Sequence, residues 1–126
     1  MMYLADACAL LAYFGAASTG MSVAGEAAMQ SDVAVASVTV WELTRKAAMG
    51  KLPPLPTEQG SFSRYLRTLG FQSAPLVWED AEAANRLPMH HKDPMDRMLI
   101  ATAIRTGMPI ITSDLIFPTY GVRTIW

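Results

Sequence analysis

The sequence predicts an α/β fold, a mostly parallel central sheet with helices on both faces. Short apolar runs alternate with longer helical stretches along the chain. Runs such as Val33-Ala34-Val35-Ala36 and Pro109-Ile110-Ile111 carry no polar side chain, as expected of strands covered on both faces. The 126 residues are 52% hydrophobic and only 17% charged, enough to bury a core in one domain spanning residues 1–126.

Met2 to Ala5 is a short apolar run and predicts the first strand. The stretch from Cys8 to about Gly15 predicts a helix, and Ser22 caps a second helix running to Met29. Val33 to Ala36 predicts the next strand, bounded by Ser31-Asp32 and Ser37. Val38 to Met49 predicts a helix stopped by Gly50. Leu52-Pro53-Pro54-Leu55-Pro56 is a rigid bend, too short to link domains. Thr57 is expected to cap a helix that runs to Leu69 and closes at Gly70. Phe71 to Ala74 predicts a third strand and Trp78 to Leu87 a helix. Asp93-Pro94 opens a strong helix ending at Gly107. Pro109 to Thr112 predicts a strand, and Val122 to Ile125 an edge strand.

Composition excludes several classes. High hydrophobicity with low charge excludes a disordered chain. The single Cys8 excludes a disulfide scaffold and agrees with a reducing compartment. Ten Lys/Arg against eleven Asp/Glu give a net charge of −1, which excludes binding nucleic acid by bulk positive charge. The longest apolar run, Ala7 to Ala17, is 11 residues, short of the ~18 to 20 that a membrane span needs. It lacks a basic flank and follows Asp6, so it is a poor signal peptide. A cytoplasmic protein with no membrane association is expected.

In an open parallel sheet the functional crevice lies beyond the carboxyl ends of the strands. Asp6 follows the first strand directly. Asp114 stands two residues after Thr112, at the end of the late strand. Asp96 lies in the first turn of the helix before that strand, and Glu42 in the helix after the second strand. Converging carboxylates repel one another unless a cation neutralises them. Oxygen donors select Mg²⁺ or Mn²⁺, and an ion held among them would act on a phosphodiester.

Each acid has a structural alternative. Asp93 reads as an N-cap with Pro94 at the first helical position. Asp96 could complete a capping box. Glu42 could pair with Lys46 or Arg45 on its own helix. Asp114 could start a turn, and Asp6 could cap the first helix. Cys8 reads as a small buried hydrophobe. Trp41, Trp78 and Trp126 read as packing residues. His90 and His91 fall in a loop without zinc-ligand spacing.

Four stretches resemble the PIN-domain family of the VapC toxin type. They are Tyr3-Leu4-Ala5-Asp6, Ala36 to Leu43 with its Trp41-Glu42-Leu43, Leu87 to Ala101 with Asp93-Pro94-Met95-Asp96-Arg97, and Ile110 to Asp114. The resemblance runs in order over nearly the whole chain, and the block from Asp93 to Ala101 is its most specific part. It implies a three-layer α/β/α PIN-like fold. It also implies a Mg²⁺-dependent endoribonuclease, with Mn²⁺ as a substitute, that hydrolyses RNA with a Mg²⁺-activated water. Such proteins are toxins paired with a VapB-type antitoxin, as homodimers or toxin–antitoxin hetero-oligomers. Carried over, Asp6, Glu42, Asp96 and Asp114 are the catalytic quartet. Asp6 and Asp96 are the direct metal ligands, Asp114 binds through water or holds a second ion, and Glu42 orients or deprotonates the attacking water.

The chain departs from the family at Ala7-Cys8, where Thr or Ser and then a polar residue commonly follow the first acid. It also has Met95 where Phe is common. The first change removes a hydroxyl or amide that would steady water at the metal.

Arg45 and Lys46, with Lys51, form a basic group that could guide RNA; a solvated helix face is the alternative. Arg97 could contact substrate phosphate or make a structural pair. The antitoxin is expected in the groove between the early helices and the helix after the Pro bend, where by analogy with the family it could insert an Arg and displace the metal. A phospho-receiver domain fits poorly, since Asp6 is single and no Lys follows the late strand. A catalytically silent PIN domain that binds RNA or protein is the remaining alternative. Assigning four acids to one pocket leaves seven against ten basic residues, a mildly basic remainder.

Overall fold

A computed structural model describes residues 1–15 and 20–126. Its strands are β1 (Met2–Ala5), β2 (Asp32–Ala36), β3 (Gln72–Ala74), β4 (Ile110–Ile111) and β5 (Thr124–Ile125). Its helices are α1 (Ala7–Tyr13), α2 (Val23–Met29), α3 (Ser37–Ala48), α4 (Phe62–Thr68), α5 (Trp78–Arg86) and α6 (Pro94–Thr106). A 3₁₀ turn at Phe117–Tyr120, which no sequence signal announced, precedes β5.

The sheet order is β3-β2-β1-β4-β5, and every pairing is parallel. The chain moves outward from β1 through β2 to β3, then returns to the other side of β1 with β4. Strand order therefore reverses between β1 and β4, and a crevice opens at their carboxyl ends. Ala5 pairs with Ile111, and the Asp6 N–H donates to the Ile111 carbonyl at 3.2 Å. Asp6 and the residues after β4 are thereby held side by side.

Strand alternation supplies two cores. Ala5, Val33, Val35 and Ile111 face one side, where they meet Leu10, Leu43, Phe62 and Leu66 from the helices. Leu4, Ala34, Ala36 and Ile110 face the other, against Leu99, Ile100, Ala103 and Phe117. Both faces being covered is the physical reason the strands read as unbroken apolar runs.

Most boundaries fall within a residue or two of expectation. Ser22 caps α2 by accepting from the Gly25 N–H, and Gly107 ends α6 in the left-handed region at φ 71°. The helix expected from Thr57 is a correction. It begins only at Phe62, capped by Ser61, which accepts from the Arg64 N–H at 3.1 Å. Gln59 and Gly60 adopt φ of 51° and 79° in a tight turn, closed by two 3.0 Å hydrogen bonds between Glu58 and Ser61. Two consecutive left-handed residues cannot continue a right-handed helix.

Three packing expectations are also corrected. Trp78 and Trp41 are exposed, 87% and 51% respectively. Cys8 is only partly buried and is hydrogen-bonded rather than simply packed. No helix among the described residues is long and apolar enough to cross a membrane.

Candidate active site

At the switch point lies a cavity of about 480 Å³, and Asp6, Glu42, Asp96 and Asp114 all line it. They arrive from four separate elements. Lys46, Asp93, Cys8 and Ser113 complete its polar wall.

Asp6 ends β1 and caps α1, its Oδ1 accepting from the Ala9 N–H at 2.9 Å. Capping and facing the cavity are thus roles of one side chain. The Cys8 thiol donates to Asp6 Oδ1 and Oδ2 at 3.0 and 3.2 Å. It also lies 3.5 Å from Ser113 Oγ. Burial raises the Asp6 pKa, the Asp114 carboxylate adds to the rise, and the bonds from Cys8 and Ala9 offset only part of it. Burial, and then the Asp6 charge, raise the Cys8 thiol, so it stays a protonated donor.

Asp93 caps α6 by accepting from the Asp96 N–H at 3.0 Å. The Asp96 carboxyl does not return the bond. It turns to His91, whose Nε2 lies 3.2 Å from Asp96 Oδ2. Its pKa is pushed up to about 6, by burial first and then by the Asp93 and Glu42 carboxylates, against the pull of His91. Asp114 also makes the expected turn, accepting from the Ile116 N–H at 3.0 Å, while its own N–H donates to Thr112 Oγ1. Glu42 pairs with Lys46 at 3.5 Å one turn along α3. That pair faces the cavity rather than open solvent, so the two readings of Glu42 coexist.

The basic residues divide. Lys46 lines the cavity. Arg45 lies outside its wall, stacked over the Trp41 ring at 5.2 Å. Arg97 does not reach the cavity, which corrects its expected role at substrate. It is 6% exposed. Its Nη1 donates to the Pro88 and His91 carbonyls and to Tyr120 Oη, and its Nη2 to the Ala84 and Leu87 carbonyls. A guanidinium with five donors suits such a cluster of carbonyls, and here it ties the loop before α6 onto that helix.

Sequence reasoning missed His91 and Tyr120. Tyr120 Oη stands 2.7 Å from His91 Nδ1. The His91-x-x-x-x-Asp96 spacing spans a loop and a helix start, so no periodicity marks it. It also missed Asp80, a buried acid bonded to Arg105 at 2.7 Å and not part of the cavity wall.

The donor set is of the hard-oxygen type. Among the described residues no three His, Cys, Asp or Glu side chains are grouped tightly enough to share one ion directly. Carboxylates spread around a cavity suit an ion that keeps several of its waters and takes one or two protein ligands, as Mg²⁺ does.

A family model described as PIN domain matches residues 3–122. The chain belongs to the PIN domain family. The fold recurs in FitAcB from Neisseria gonorrhoeae, at 16% identity, with 100% of this chain and 97% of that chain covered and a TM-score of 0.63. It recurs in VapBC2 from Rickettsia felis bound to a promoter DNA fragment, at 12% identity, 98% and 97% coverage and a TM-score of 0.64. A toxin–antitoxin complex from Klebsiella pneumoniae aligns at 19% identity, 89% and 86% coverage and a TM-score of 0.59. A comparison with curated protein sequences finds no match. The expected three-layer PIN architecture is the one observed.

Proposed function

We propose that this PIN domain is a metal-dependent endoribonuclease and the toxin of a VapBC-type pair. The observation that carries the proposal is the convergence of Asp6, Glu42, Asp96 and Asp114 on one cavity at the switch point. Burial first, and neighbouring carboxylates after it, raise the pKa of Asp6 and Asp96, and a cation among them would favour their charged forms. When bound, Mg²⁺ or Mn²⁺ supplies charge neutralisation at a phosphoryl oxygen and acidifies water.

The chain's own residues do the rest. Asp6 and Asp96 would hold the ion directly, and Asp114 would bind it through water or hold a second ion. Glu42 orients the attacking water and accepts its proton. The Cys8 thiol keeps the Asp6 carboxylate in one orientation. Lys46, beside Glu42, attracts the scissile phosphate, and Arg45 with Trp41 extends a basic, partly aromatic surface along α3.

We assign the antitoxin to an apolar groove of about 420 Å³ formed by Leu11 and Tyr13 of α1, Phe14 just after it, the Leu52–Pro56 bend and Tyr65 of α4. The structural neighbour described as a toxin–antitoxin complex supports such a partner.

The test is incubation of purified protein with a broad panel of RNAs, with Mg²⁺ and with EDTA. Cleavage that requires the metal is expected. Intact RNA across the panel would favour the silent module, and cleavage in EDTA would exclude the metal mechanism.

A further inference from the structure

Beside the carboxylate cluster, Arg97, Tyr120 and His91 form one hydrogen-bonded group of polar side chains. Tyr120 Oη receives two obligate donors. One is Arg97 Nη1 at 3.1 Å and the other the His91 backbone N–H at 3.2 Å. A phenol oxygen has two lone pairs and one hydrogen. With both pairs taken, the hydroxyl hydrogen must point elsewhere. His91 Nδ1 lies 2.7 Å away, against 3.5 Å for the alternative acceptor, the His91 carbonyl. Nδ1 is therefore the acceptor. A neutral imidazole then carries its proton on Nε2, which faces Asp96 Oδ2 at 3.2 Å. An imidazolium would instead present a third donor to a saturated oxygen.

We propose that His91 is a positioning residue for the metal site. Tyr120 fixes its ring as the Nε2-protonated tautomer, and that N–H holds Asp96 Oδ2 so that Oδ1 is presented to the cavity. The buried Arg97 anchors the relay by tying the His91 loop and Tyr120 to α6. The role given to Asp96 rests on the proposed function above. The hydrogen-bond relay itself does not. Groups that orient a metal ligand typically change metal affinity by about 10- to 100-fold when removed.

The experiment has two readouts on the full chain. In metal-free, ¹⁵N-labelled protein at pH 8, two-bond proton–nitrogen spectra report the ring tautomer. His91 is expected with Nε2 protonated and Nδ1 bare, and Tyr120→Phe is expected to return the ring to a mixture of tautomers. Calorimetric titration with Mn²⁺ is expected to show weaker binding by about 10- to 100-fold in His91→Phe. His91→Gln, whose amide can still donate to Asp96, should recover most of that loss. A wild-type ring protonated on Nδ1, or unchanged Mn²⁺ affinity in a folded His91→Phe, would overturn the proposal. No Mn²⁺ binding by wild-type protein with the expected tautomer would remove the metal function and the purpose given to His91, yet leave the relay standing.

Discussion

The thiol of Cys8 donates to both carboxylate oxygens of Asp6, at 3.0 and 3.2 Å. Ala7, directly after the first acid, carries no donor, and the thiol one residue further on bonds the carboxylate instead. Cys8→Ser is expected to keep RNA cleavage within a few-fold of wild type. Cys8→Ala, which leaves Asp6 without this donor, is expected to lower it by about tenfold or more, the equivalent of one hydrogen bond to a charged group. Parallel kcat/KM measurements on the two variants check this, and equal activity in both would show that the thiol is idle.

Asp6 and Asp96 have raised pKa values because burial and neighbouring carboxylates disfavour their charge. A group whose folded pKa is raised stabilises the fold below its unfolded pKa and loses that contribution as pH rises through the folded value. For Asp96 the window runs from about 4 to about 6. Metal-free protein should melt at progressively lower temperature across that window. Mg²⁺ should restore the melting temperature above it, since the ion binds only deprotonated carboxylates. Thermal melts in EDTA and in Mg²⁺ at stepped pH provide the measurement.

Asp80 behaves oppositely. Burial raises its pKa, but hydrogen bonds from Arg105, Val77 and Thr102 with the Arg105 charge outweigh burial and hold it below the ordinary range. Its contribution is present above about pH 4 and disappears as pH falls through the lower folded value. Asp80→Asn should cost about 1 to 3 kcal/mol at pH 7. The variant and wild type should converge once the pH falls below that lower value, as chemical denaturation at neutral and strongly acid pH would reveal.

Arg97 is expected to matter for folding rather than for substrate. Arg97→Met removes the buried donors to four carbonyls and should destabilise the fold by about 3 kcal/mol or more. Lysine should not rescue it, because one ammonium cannot span that fork of acceptors. A urea titration checks both variants.

Legibility in the sequence followed physical cause. The parallel sheet was readable because burial on both faces writes unbroken apolar runs such as Val33 to Ala36. The four acids were readable because the crevice rule names strand ends in advance, and Asp6 and Asp114 stand there. The late start of α4 was hidden because Gln59 adopts a conformation that its side chain does not advertise. Arg97 was misplaced because residues adjacent in sequence point about 100° apart around a helix, and that rotation turns the guanidinium into the protein. The His91 contact depends on how a loop folds back across α6, and no local pattern encodes that.

The claim at the centre is that Asp6 and Asp96 act as one unit in a metal-dependent cleavage of RNA. Its most direct test is kcat/KM for RNA cleavage in saturating Mg²⁺ by wild type, Asp6→Asn, Asp96→Asn and the double variant. Both changes keep the side-chain shape, and Asn can still cap α1. Residues that serve one unit have strongly non-additive effects. Each single change should abolish nearly all activity, by about 100-fold or more, and the double variant should be no worse than either. Cleavage that survives Asp96→Asn, or losses that simply multiply in the double variant, would contradict the account.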